Sequence, residues 1–159
     1  MVKSRQKMKY GFKPIALDTD DDDSDDELNN VKIDNNNIYY YTQVTTDSIL
    51  ELTLAIKSVT NNLKILGIKY GVSPPSINVF INSDGGELHS ALSMFDIIKN
   101  NDITINTIIC GNASSAATVI SLAGHNRYIS NNSYMLIHNI SSGFWGKMNE
   151  IEDDLVNLN

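Results

Sequence analysis

At 159 residues, 42% apolar and 8% aromatic, the chain is long enough for one domain with a proper core and too short for two sizeable ones. No stretch approaches the roughly 18 consecutive apolar residues of a membrane helix, and a single cysteine, Cys110, excludes an internal disulfide framework and any multi-cysteine metal site. The net charge of −7 is unevenly spread: five basic residues from Lys3 to Lys13 lead, eight acids follow from Asp18 to Glu27, and the remainder has no basic stripe to neutralise phosphates, so nucleic acid is a poor partner.

The opposed charge blocks offer almost nothing to bury, so residues 1 to about 30 are expected to be a disordered charged arm, with the domain over 31–159. The basic start is not Ser-rich and runs straight into acids, and no apolar stretch forms a secretory signal. The expected location is therefore the cytoplasm, or the host cytoplasm if the abundant asparagine reflects an AT-rich viral genome. Ile38 to Thr42 reads as a strand, and Thr45, Thr46 and Asp47 supply caps for a helix. Ile49, Leu52, Ile56, Val59, Leu63 and Leu66 recur at steps of three and four and define the buried face of that helix. Gly67, Gly71, Pro74 and Pro75 end it and lead to a buried strand, Ile77 to Asn82, followed by the turn SDGG. A second helix is expected from Glu87, with Leu88, Leu92, Phe95 and either Ala91 or Ile98 on its buried side. A strand from Ile103 to Cys110 then meets the turn GNASS, and a third helix starts near Ser115 and ends at Gly124. Short strands near Arg127–Ser130 and Tyr134–His138 precede a last helical pattern from Lys147. Strand, glycine-containing turn and helix occur twice, which implies an α/β fold with a parallel sheet.

In such sheets the turns after the strands open at one edge beside helix N-termini, where sites form. A serine at the start of a helix after a tight turn is held exposed beside free peptide N–H groups, as an acyl-transfer nucleophile requires, although serines in small-residue turns also serve as helix caps. The glycines of SDGG allow a backbone N–H to approach a substrate carbonyl, a donor that stabilises an oxyanion by roughly 3–4 kcal/mol. Of the three histidines, His89 falls within a helix and His125 follows a helix end, whereas His138 at a strand end returns to the same edge. Cys110, flanked by Ile108 and Ile109, reads as a small buried hydrophobe.

Taken in order, the words YYYTQV, INVFINSDGG, GNASSAATVISLAG and YMLIHNISSGFWG resemble the Clp protease proteolytic subunit family, ClpP, over residues 36 to 159. The resemblance, which a viral or fragmentary member would also show, implies the ClpP/crotonase-like spiral. It puts the nucleophile on Ser115 and not Ser114, the base on His138, and the oxyanion donors on the N–H groups of Gly86 and Ala116. No metal or cofactor is implied. The activity implied is serine endopeptidase cleavage of unfolded polypeptides, in a homo-oligomer of stacked heptameric rings fed by an AAA+ unfoldase, with no membrane partner. Asp84 departs from the usual proline of the SPGG word, Ala116 from a methionine and Ala117 from a glycine. Asp84 brings a carboxylate towards a site meant to hold negative charge.

Two relatives of the fold fit less well: crotonase-type acyl-CoA enzymes need no serine nucleophile, and signal peptide peptidases use a lysine base, for which only Lys147 is near. A viral head-maturation peptidase, or a catalytically silent ring or regulatory subunit, are the alternatives within reach of the same words. Phe144 and Trp145 read either as a packed anchor or as part of a peptide-binding surface. Met148, Ile151, Leu155 and Leu158 form an apolar stripe on the last helix, with no glycine, proline or polar run after it. In ClpP this helix begins the handle, and the triad aspartate lies beyond. The expectation is therefore an incomplete handle and a missing acid, with Asp153 and Asp154 as solvated helix residues. Loss of the orienting acid costs triad enzymes on the order of 10⁴ in rate.

Overall fold

The computed structural model describes residues 30–139. The charged arm and the helical pattern from Lys147, with Phe144, Trp145, Asp153 and Asp154, lie outside the described residues. The chain enters through a hairpin, β1 (Val31–Asp34) antiparallel to β2 (Asn37–Tyr40), turning at Asn35 with φ 57°. Asparagine tolerates that left-handed conformation better than most residues. The apolar pattern misses β1 because its alternation, Val31 and Ile33 between Lys32 and Asp34, spans only four residues and buries only Val31.

Helix α1 (Thr46–Tyr70) opens on a capping box in which Thr45 Oγ1 accepts from the Ser48 N–H and Ser48 Oγ accepts from the Thr45 N–H. Ile49, Leu52, Ile56 and Val59 are buried as their spacing predicts. Gly67 does not stop the helix. It sits in the last full turn, where the Val72 N–H folds back onto its carbonyl at 3.1 Å and a Cβ would lie 2.9 Å from the Val72 oxygen. The end comes at Gly71, whose φ of 64° is the left-handed cap.

Strand β3 (Ile77–Ser83), helix α2 (Leu88–Lys99), strand β4 (Ile105–Ser114), helix α3 (Ala116–Leu122) and strands β5 (Asn126–Ile129) and β6 (Tyr134–Leu136) follow. The sheet order is β1-β2-β3-β4-β5, with β6 also paired to β4, and every pairing after the hairpin is parallel. β5 and β6 lie along successive parts of β4 as one interrupted edge strand. Ile38, Tyr40, Ile77, Val79, Ile81, Ile105 and Ile109 point to one face and form the core with Leu52, Ile56, Met94, Ile98 and Ile120 of the helices. On α2 the buried edge is Ala91, Met94 and Ile98, and Leu92 is 46% exposed, so the expected face is turned towards its neighbour. The apolar stripe of α2 is broad, and the edge it buries faces its neighbours α3 and α1.

The opposite face carries two cross-strand rows. Asn78 donates to Asn37, Asn106 to Asn78 and Asn126 to Asn106, each at 2.9 Å, so four of the chain's many asparagines form one side-chain ladder across β2, β3, β4 and β5. Two residues further along each strand, Tyr39, Phe80, Ile108 and Tyr128 align, with Tyr39 and Phe80 stacked at 5.0 Å. Cys110 follows the same alternation. It is half-buried on this face, with Sγ 3.3 Å from Ser130 Oγ, and is not the core residue its apolar neighbours suggest.

Candidate active site

β3 and β4 leave their ladder at the same edge. Between the pairs Ile81–Ile109 and Ser83–Ala113 the register shifts, so β4 carries extra residues here. Gly111, at φ 112°, makes the bulge possible, since a Cβ there would meet Asn82 Oδ1 at 2.4 Å. The Asn82 side chain replaces the lost ladder bond by accepting from the Asn112 N–H at 3.0 Å. On the other side of β4, Ser133 Oγ accepts from the Gly111 N–H at 2.8 Å and ties in the turn before β6.

β4 then ends in Ser114, buried within the strand, and Ser115, half-buried at φ 50°, ψ −124°. Ser115 is one of two described non-glycine residues with positive φ, and the sharp strand-to-helix turn it forms has the character of a nucleophile elbow. The elbow is held from three sides. The Ser115 N–H donates to the Leu136 carbonyl of β6 at 2.8 Å, and its carbonyl accepts from the Thr118 N–H and hydroxyl at 3.0 and 2.6 Å. From the third side comes Gly85, where a Cβ would meet the Ser114 oxygen at 2.5 Å and Ser115 Cβ at 2.8 Å.

The turn SDGG is itself clamped. Val44, between β2 and α1, donates to the Gly85 carbonyl at 2.9 Å and accepts from the Glu87 N–H at 2.8 Å, bracketing Gly86. A Cβ at Gly86 would lie 2.2 Å from the Val44 oxygen. Among the described residues the Gly86 N–H has no acceptor, nor has the N–H of Ala116, the first residue of α3. Glu87 Oε2 accepts from Ser90 Oγ at 2.7 Å and Thr46 Oγ1 at 2.9 Å, and these two hydroxyls, Ser90 first, hold its carboxyl below the usual range.

His138 lies two residues past Leu136, whose carbonyl accepts from the Ser115 N–H. The ring is exposed, and Nδ1 lies 2.7 Å from the Asn139 carbonyl oxygen. Among the described residues Ser115 Oγ has no hydrogen-bond partner and no carboxylate contacts His138. The other histidines are placed elsewhere: His89 is exposed on α2, and His125 Nδ1 accepts from the Ile105 N–H at 3.1 Å at the opposite end of β4. Asp84 turns its carboxylate to the Asn112 amide at 2.6 Å, in a solvent-open cleft of about 240 Å³ lined in part by Tyr41, Thr42 and Gln43. No cluster of metal-ligating side chains occurs among the described residues.

Sequence reasoning does not find Val44 or Leu136, because both act through backbone atoms that any residue type supplies. The paired glycines 85 and 86 are the visible signal that backbone from elsewhere approaches closely.

Residues 32–159 match a model of the Clp protease family. The chain belongs to the Clp protease family. Among solved structures the fold is similar to ClpP1 from Listeria monocytogenes, with 21% identity and a TM-score of 0.59 over 78% of this chain and 69% of that one. A point mutant of the same ClpP1 gives 20% identity and a TM-score of 0.60 over 78% of this chain and 66% of its own. At that identity the likeness establishes the fold, and this chain spans about two thirds of the Clp subunits' length. The Clp fold accounts for the sheet with its helices.

Proposed function

We propose that this chain acts as a serine-type endopeptidase subunit. Ser115 Oγ attacks the scissile carbonyl carbon while His138 takes its proton, and the collapsing intermediate expels the amine, which receives that proton. Water then hydrolyses the acyl-enzyme by the same route. Gly86 and Ala116 N–H groups stabilise the oxyanion formed in each half. The observation that carries this reading is the strained Ser115 backbone, tied to the strand that leads directly into His138. Unfolded polypeptides as substrates, stacked heptameric rings, an AAA+ unfoldase partner, ATP dependence through that partner and a cytoplasmic site of action are proposals drawn from the family resemblance.

A second reading, a catalytically silent ring subunit, is favoured by one contact: His138 Nδ1 faces the Asn139 carbonyl where an active triad places an acid. Fluorogenic peptide hydrolysis by the complete gene product separates the two. The peptidase reading expects turnover that falls at least about 10³-fold in Ser115→Ala and in His138→Ala, as loss of a nucleophile or base does in triad enzymes. Turnover indifferent to both substitutions would exclude it, and no turnover in the unsubstituted product would favour the silent subunit.

A further inference from the structure

We propose that Asp84 and Asn112 form a positioning clamp that holds the oxyanion turn in register with the nucleophile elbow. The proposal rests on the reading of Ser115 as nucleophile. At this edge β3 and β4 have lost their ladder, covering two steps on one strand and four on the other between flanking pairs. Side chains bridge the gap instead. Asn82 accepts from the Asn112 backbone N–H, and the Asn112 amide in turn donates to Asp84 Oδ1 at 2.6 Å and to Ser114 Oγ at 3.3 Å. Asn112 therefore ties Asp84, immediately before Gly85, to Ser114, immediately before Ser115. Gly85 already sits where even one added carbon would collide with Ser115 Cβ, so a small slide of one turn past the other misaligns the Gly86 N–H with the serine. In the SPGG word of the resemblance a proline restricts this turn through its ring. Here the restriction comes from a charge-assisted hydrogen bond, and the carboxylate is engaged by Asn112 instead of facing the oxyanion.

The test measures the rate of Ser115 modification by a fluorophosphonate, kcat and KM for a fluorogenic peptide, and the melting temperature, all on the complete gene product. Asp84→Ala and Asn112→Ala are each expected to slow labelling and lower kcat on the order of tenfold, a part of the roughly hundredfold that a 1 Å misplacement costs. KM and melting temperature stay unchanged. The double variant is no slower than either single one, and Asp84→Asn keeps most of the rate because its amide oxygen still accepts from Asn112. Unchanged rates in Asp84→Ala, additive losses in the double variant, an Asp84→Asn as slow as Asp84→Ala, or a loss that tracks melting temperature would each overturn the clamp. Labelling that persists in Ser115→Ala would instead overturn the nucleophile reading beneath it.

Discussion

A non-glycine residue at φ 50°, ψ −124° costs on the order of 1–3 kcal/mol and persists only where its surroundings fix it. Ser115 is fixed by the Leu136 carbonyl, the Thr118 hydroxyl and the backbone of Gly85, while Ser114 beside it is an ordinary buried strand residue. Tyr40 plays the corresponding part on the far side of Gly86. Its fully buried hydroxyl donates to the Gln43 carbonyl at 3.0 Å and meets Ser48 Oγ at 2.8 Å, pinning the loop that carries Val44. Burial is the main cause holding this phenol above its ordinary 10.0, partly opposed by the Ser48 hydroxyl and reinforced by the Glu51 carboxylate. Because the unfolded phenol loses its proton first, Tyr40 favours the native state below pH 10 and that advantage is lost as pH rises through the raised native value. Tyr40→Phe is expected to cost about 1 kcal/mol at pH 7 and to show a shallower loss of stability above pH 10 in urea unfolding. Identical pH profiles for the two proteins would contradict this.

At the scale of elements, the asparagine ladder sets the register of four parallel strands that have different loop lengths between them. Asn106 stands in its middle, donating to Asn78 and accepting from Asn126. Asn106→Ala removes both bonds and should cost about 1–3 kcal/mol at roughly 0.5–1.5 kcal/mol each, read by urea unfolding; Asn126→Ala, at the ladder's end, should cost about half as much. Equal losses at the two positions would show that the ladder does not act as a chain. The ladder was not legible in the sequence, because a parallel register cannot be read from one strand at a time and the asparagines look like compositional bias. Helix α1 was legible because Leu52, Ile56 and Val59 meet a sheet at a helical period that nothing else explains. The glycines and serines of SDGG and GNASS marked a candidate site in the sequence, and the word order resembling ClpP then chose Ser115 as its nucleophile. What remained hidden was the side-chain packing around those words: β1 with its charged residues, the rotated face of α2, and the Asp84–Asn112 contact.

Across the molecule, the described helices contribute to a core on one face of the sheet, and the other face presents the asparagine ladder and the row from Tyr39 to Tyr128. Gly85 and Gly86 lie against the strained Ser115 and Val44 at one edge of the sheet, and the family match extends from the first strand to residue 159. The most direct test of the account is to treat the complete gene product with a fluorophosphonate and locate the adduct by peptide mass spectrometry. The account predicts a single adduct on Ser115, abolished in Ser115→Ala and retained in Ser114→Ala. An adduct on Ser114, or one that survives Ser115→Ala, would contradict it.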